Sequence, residues 1–161
     1  MRNKIIILIL SIFILIALAF KSIDFLPKSI QMHYYLTKYS YKYDIPPHIA
    51  YNIAYKESRY RGPYHWNYDP SVGSDKGALG PMQIMVRTAK SVNKESVEKS
   101  KLRNDIDYNV ETSMKLLHLL YDKYHNWDKV CGAYNTGRPI VNKYSKFCVN
   151  KNYKKNWING D

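Results

Sequence analysis

Residues 46–58 read Pro46-Pro47-His48-Ile49-Ala50-Tyr51-Asn52-Ile53-Ala54-Tyr55-Lys56-Glu57-Ser58. Paired prolines at the start of a run signal helix entry, because the first turn leaves N–H groups unused and proline already has a helical φ. Ile49, Ile53 and Glu57 recur at i, i+4 and i+8, with Ala50 and Ala54 beside them. That spacing puts the carboxylate on the apolar face of the helix. Burial disfavours a charged carboxylate and raises its pKa, which is what a general acid working near neutral pH needs. On this segment alone, a helix-end glutamate paired with Lys56 or Arg59 is the simpler reading.

Working outward, Ser29 to Tyr43 is a tyrosine-rich stretch compatible with a helix, closed by Asp44-Ile45-Pro46-Pro47. Beyond Ser58 lies a loop-rich segment, Tyr60 to Gly80, with four of the seven glycines and two prolines. It carries Tyr64, Trp66 and Tyr68, whose alternation puts three rings on one side if the chain is locally extended. Such rings could stack on sugars or simply cover the rim of the domain. Gly77-Ala78-Leu79-Gly80-Pro81-Met82-Gln83-Ile84 then leads into a helical run through Ala89. Its glycines permit tight turns and close approach to a ligand, and Gln83 offers a donor and an acceptor to a sugar amide or hydroxyl.

Ile106, Val110, Met114, Leu117 and Leu120 or Tyr121 keep helical spacing and predict a long core helix. Trp127 to Tyr134 reads as a further buried helix stopped by Asn135-Thr136-Gly137, and a final short helix is expected from Pro139 to Phe147. No internal repeat is visible. The Lys/Asn-rich end, Asn150 to Asp161, reads as an exposed tail apart from Trp157. The chain therefore divides into 1–20, a signal peptide or membrane anchor; 21–29, a linker; 30–149, one domain; and 150–161, the tail.

The N-terminus bears on the compartment. Arg2 and Lys4 precede an uncharged apolar run from Ile5 to Phe20, closed by Lys21, the layout of an export signal. Ala17-Leu18-Ala19 supplies a small-x-small cleavage pattern. As a helix the run would span about 24 Å, short of the roughly 30 Å hydrocarbon core, so cleavage and retention as an anchor both stay open. Either reading sends the domain into the periplasm or cell envelope, with residues 5–20 anchoring it to the inner membrane if uncleaved. A net charge of +12 suits an acidic polymer; outside the cytoplasm that favours the cell wall over nucleic acid. Cys131 and Cys148 fit an oxidising compartment and could pair, or could be two buried thiols. His118 and His125, seven apart on one helix, are a weak metal signal and are read as structural; no metal or organic cofactor is expected.

Taken together, Glu57-Ser58 at a helix end, Gly77-Ala78-Leu79-Gly80-Pro81-Met82-Gln83-Ile84, and Ala133-Tyr134-Asn135-Thr136-Gly137 resemble the ordered signature of the soluble-lytic-transglycosylase family. Asn109 and the helix around Leu116 also match its usual spacing, and the resemblance covers about residues 30 to 147. It implies a lysozyme-like α+β fold, mostly helical with a small β-region. It implies cleavage of the MurNAc–GlcNAc bond of peptidoglycan without water, leaving a 1,6-anhydro-MurNAc end. Carried over by position, Glu57 is the catalytic acid and base, and Ser58 positions its carboxyl. Met82 and Gln83 line the cleft, and Tyr134 and Asn135 hold Glu57 and the sugar. Single-domain forms of this kind are similar to those that accompany secretion, conjugation or pilus machines, which would be partners. The chain departs from the pattern at an insertion, Arg61 to Tyr68, at the tolerant positions Pro81 and Thr136, and at Cys131, which is unusual just before the third motif.

One carboxylate is sufficient for this chemistry. A retaining glycosidase with two carboxylates holds them about 5–5.5 Å apart. A single acid serves where the substrate's N-acetyl group stabilises the cationic centre and its own 6-hydroxyl replaces water. Two alternatives remain. One is a hydrolase using Asp69 or Asp75 as second carboxylate, although the setting of Asp75 also suits a turn. The other is a wall-binding module without activity, which the intact Glu57-Ser58, Gln83 and Tyr134-Asn135 set disfavours.

Overall fold

The computed structural model describes residues 4–7, 9–11 and 23–152. The Ala17–Ala19 cleavage pattern and Trp157 lie outside these residues. After a 3-10 turn, Ile23–Phe25, come α1 (Lys28–Lys42), α2 (Pro47–Ser58), β1 (Ala78–Leu79), β2 (Ile84–Met85), α3 (Val86–Asn93), α4 (Lys99–Asn104), α5 (Ile106–Tyr124), α6 (Trp127–Thr136) and α7 (Lys143–Cys148). The fold is thus mostly helical with one two-stranded antiparallel hairpin, in which Ala78 faces Met85 and Leu79 faces Ile84.

The long helix α5 is the spine of the domain. Its N-cap, Asp105, accepts from the Tyr108 N–H, satisfying one of the donors a first turn leaves open. Ile106, Val110, Met114 and Leu117 are all buried, as their spacing requires. α1 packs along α5; the Tyr39 hydroxyl donates to Asp107, and Lys42 and Tyr43 both reach Glu111. α6 packs on α5, and α7 on α6.

Asn109, fully buried on α5, joins three segments. Its Nδ2 donates to the carbonyls of Leu79 at 2.9 Å and Leu102 at 2.8 Å, and its Oδ1 accepts from the Met82 N–H at 2.9 Å. Both faces of its amide, the Nδ2 donors and the Oδ1 acceptor, thus seat the hairpin and the end of α4 against the spine. Asn52, also fully buried, does the same for the C-terminal segment, donating to the carbonyls of Phe147, Cys148 and Asn150.

The last helix starts later than the sequence led us to expect. Pro139 to Asn142 are not helical, and α7 begins at Lys143 behind a capping box formed by Asn142 and Ser145. The intervening strand of chain crosses α6 closely. A Cβ on Gly132 would come within 2.0 Å of the Ile140 carbonyl oxygen, so only glycine lets the two backbones touch there. Gly77 to Met85 forms a hairpin, and the helical run through Ala89 follows it from Val86.

Cys131 on α6 and Cys148 at the end of α7 are joined, with sulfurs 2.07 Å apart and a sequence separation of 17. Closing a loop of this size restricts the unfolded chain and contributes about 3 kcal/mol by chain-entropy arguments. Peptide mapping of exported protein without reductant should recover the Cys131–Cys148 pair, and reduction should lower the melting temperature. Recovery of two free thiols would reject the bridge in the native compartment.

Candidate active site

Glu57 occupies the last turn of α2. The helix stops at Arg59, in the left-handed region at φ 58°, whose N–H returns to the Tyr55 carbonyl. Glu57 is half-buried, and burial pushes its carboxyl above the ordinary range. One hydrogen bond works against that rise: the Tyr144 hydroxyl donates to Oε1 at 2.5 Å. Tyr144 lies in the first turn of α7, the helix held by the disulfide at its other end and by Asn52. Burial and the nearby Glu57 push the phenol of Tyr144 well up, so it stays a donor through the physiological range.

Tyr134 stands in the same neighbourhood, its phenol also raised by burial and by the charge of Glu57. Its hydroxyl, however, donates to the Met82 carbonyl at 2.7 Å. Tyr134 therefore ties the glycine-rich turn to α6 rather than holding the Glu57 carboxyl. That task falls to Tyr144, which the sequence reading missed. No sequence signal separated it from the other fifteen tyrosines; only the packing of α7 brings it to Glu57.

Three further expectations need correcting. Ser58 does not bond Glu57. Its hydroxyl bonds the Ala54 carbonyl and the Tyr68 hydroxyl at 2.7 Å, because consecutive helix residues point about 100° apart and the side of Glu57 is turned to α7. Met82 does not line a cleft with its side chain, which is wholly buried; its backbone carries the contacts to Asn109 and Tyr134. Tyr64, Trp66 and Tyr68 do not share a side. The segment is a series of turns, Tyr68 is buried against Tyr60, and the other two rings are exposed.

Gln83 stands at the hairpin turn with φ 50°. Its Nε2 donates to the Val72 and Gly80 carbonyls, which leaves Oε1 as the atom through which it could accept from a ligand. Gly80, at φ +75°, sits against Asn109 and the Leu102 carbonyl, where a Cβ would meet atoms at 2.5 and 2.6 Å. The turn is thus fixed on the spine before any ligand arrives. Asn135, one residue from Tyr134, is exposed on the last turn of α6 and available for hydrogen bonding.

The two rival carboxylates have local employment. Asp69 accepts from the backbone N–H and hydroxyl of Ser71, which hold its carboxyl below the ordinary range. Asp75 is exposed in the turn closed by Ser74 and Ala78. Neither bonds Glu57 or Tyr144 among the described residues. His118 bonds the Tyr43 carbonyl and lies 3.7 Å from Asp122, a structural role. Among the described residues no group of three or more His, Cys, Asp or Glu side chains gathers as a metal site would require.

The described residues form a mostly helical domain with a small hairpin, and a carboxyl raised by burial sits at the end of one of its core helices. Residues 34–157 match the family model of the transglycosylase SLT domain, and the chain belongs to that family. It is accordingly a transglycosylase-type enzyme with peptidoglycan as its substrate class. No curated protein and no solved structure matches the chain significantly.

The role of Tyr144 can be read from a pH profile. Its hydroxyl favours the ionised carboxylate, so Tyr144→Phe should raise the Glu57 pKa further. The alkaline limb of kcat, where the acid is lost, should then move to higher pH. Turnover should fall by roughly tenfold, the worth of one hydrogen bond to a charged group. A purely structural tyrosine would lower activity without moving that limb.

Proposed function

We propose that the enzyme is a lytic transglycosylase that cleaves the MurNAc–GlcNAc β-1,4 bond and leaves 1,6-anhydro-MurNAc ends. The observation that carries this reading is the raised carboxyl of Glu57, bonded by one phenol and by no second carboxylate among the described residues. The protonated carboxyl donates to the glycosidic oxygen as the C1–O bond breaks, and GlcNAc leaves with a new hydroxyl. The N-acetyl carbonyl oxygen of MurNAc stabilises the cationic C1 meanwhile. Glu57, now a carboxylate steadied by the Tyr144 hydroxyl, takes the proton of the 6-hydroxyl as that oxygen closes on C1. The proton balance returns Glu57 to its acid form, and no water is consumed. Proton transfer of this kind contributes about 10²–10⁴-fold, and holding the intramolecular nucleophile contributes further.

In this reading Oε1 of Gln83 and the amide of Asn135 face the sugars, and the buried backbone of Gly80 and Met82 holds Gln83 in place. The polymer lies outside the cytoplasm, so Ile5 to Phe20 would serve as the export signal or anchor.

Mass spectrometry of a peptidoglycan digest tests the reaction. The expected products end in 1,6-anhydro-MurNAc, each one water lighter than a hydrolysis product. Replacing Asp69 and Asp75 together by Asn should leave that pattern and most of the rate. Reducing-end MurNAc as the main initial product would identify a hydrolase instead. Loss of activity in a folded double variant would make one of the aspartates the missing partner.

A further inference from the structure

Beside the hairpin, β1 and α4 enclose a groove of about 390 Å³ lined by Leu79, Lys99, Ser100, Arg103 and Asn104. Leu79 is buried, and the four α4 residues are exposed. The spacing of strand and helix is set before any ligand arrives. The Asn109 amide donates to both the Leu79 and the Leu102 carbonyls, so one buried side chain ties the two walls together. Gly80 closes the remaining gap, since a Cβ there would lie 2.6 Å from the Leu102 carbonyl oxygen.

Lys99 and Arg103 stand one turn apart on α4, where like charges repel. Neither side chain has an ion pair or hydrogen bond among the described residues. Residues 86–103 carry six lysines and arginines against two glutamates, so the segment's own carboxylates do not offset the pair. The groove offers an ammonium, a guanidinium, a hydroxyl and an amide as donors. The methylene stems of the two cations leave its walls mostly apolar. That combination suits a carboxylate carried on a short organic chain: the guanidinium matches the carboxylate in paired hydrogen bonds, and the stems cover the chain that bears it.

The groove adjoins the candidate site through a single layer of chain. Gln83 donates to the carbonyls of Val72 and Gly80. The next residue on each segment, Gly73 and Leu79, forms a bridge with the other. Gly73 lies under the Arg103 guanidinium, so close that a Cβ would come 2.9 Å from Nη2, and Leu79 lines the groove itself. Peptidoglycan supplies a fitting ligand, because each MurNAc carries a short stem peptide with free carboxylates. A stem of four residues extends up to about 14 Å, enough to pass around two paired segments about 5 Å apart.

We propose that Lys99 and Arg103, with Ser100 and Asn104, form a carboxylate-binding groove that holds the stem peptide of a MurNAc whose sugar lies at Gln83. The inference rests on peptidoglycan cleavage as the function and adds a peptide subsite to it. The groove takes no part in proton transfer at Glu57; it selects strands that still carry their peptides over strands that have lost them.

The test uses the full chain carrying Glu57→Gln, so that binding is read without cleavage. Calorimetry compares GlcNAc-MurNAc bearing a tetrapeptide with the same compound after methyl esterification of its carboxyls. The acid should bind about tenfold more tightly than the ester, the worth of a charge-assisted hydrogen bond. Lys99→Gln together with Arg103→Gln should remove that advantage, and Lys99→Arg alone should keep it. Equal affinity for acid and ester, no detectable binding of either, or an advantage that survives in the double variant would overturn the proposal. Vesicles containing phosphatidylglycerol form a further arm. Binding to them that depends on Lys99 and Arg103, without preference for the acid muropeptide, would assign the groove to lipid phosphate and reject the peptide. Cleavage of sacculi by the wild type is scored separately. No cleavage by folded wild type counts against the catalytic reading, whereas cleavage without an acid–ester difference counts against the groove alone.

Discussion

Glu57→Gln should abolish cleavage of purified sacculi while leaving the domain folded. The amide keeps the shape of the side chain and can still accept from the Tyr144 hydroxyl, but it can neither give nor take the proton the reaction needs. The loss should be at least about 10²–10⁴-fold, the contribution of general acid–base assistance. The same variant should be more stable than the wild type at high pH. Burial raises the pKa of Glu57 in the folded state, so the folded protein holds the proton more tightly than the unfolded chain does. The resulting stability is fully present below the unfolded pKa and is lost as pH rises through the folded one. Glutamine carries no charge to bury, so the difference in melting temperature between variant and wild type should widen in that direction. Turbidity clearing and thermal melts across pH read both outcomes. Wild-type clearing by folded Glu57→Gln protein would remove Glu57 from the mechanism.

Asn109→Ala should be among the most damaging single substitutions outside the site. It leaves the carbonyls of Leu79 and Leu102 and the N–H of Met82 without their partner, in a region where Asn109 is fully buried. Each buried group left unsatisfied costs about 1–3 kcal/mol; with some relaxation, the sum should be about 3–5 kcal/mol. For a domain of this size that is roughly 10 °C in melting temperature. Because the hairpin carries Gln83 and the Met82 carbonyl that Tyr134 binds, activity should fall further than the loss of folded protein accounts for. Melting curves and specific activity corrected for folded fraction measure the two effects. An unchanged melting temperature would mean that the hairpin is held by its apolar contacts alone.

Much of the domain is legible along the chain because its helices carry strong periodic signals. The α5 stripe from Ile106 to Leu117, the prolines that open α2 and the Gly137 stop of α6 are local features, and the helices formed near where they indicated. The hairpin was not legible in this way. Strands of two residues have no period, and the glycines that mark Gly77 to Gln83 as a turn do not say that Ala78 and Leu79 will pair with Met85 and Ile84. The delayed start of α7 escaped for a related reason: Pro139 and Ile140 turn past α6 outside any helix, with the Ile140 backbone lying against Gly132, a contact no local pattern announces.

The site divides along the same line. The sequence by itself determined that a glutamate would sit on the apolar face of a helix, that a glycine-rich turn with an available glutamine would follow, and that Ala133-Tyr134-Asn135 would close a buried helix. Those are matters of spacing within a dozen residues. Only the tertiary structure decided what each side chain would touch. A rotation of 100° per residue sends Ser58 to Tyr68 while Glu57 faces α7; the packing on the spine buries Met82; and the packing of α7 on α2 brings Tyr144, not Tyr134, to the carboxyl. Hydrogen-bond partners depend on ångström-scale distances between elements, and those are set by the packing of the whole core rather than by any segment within it.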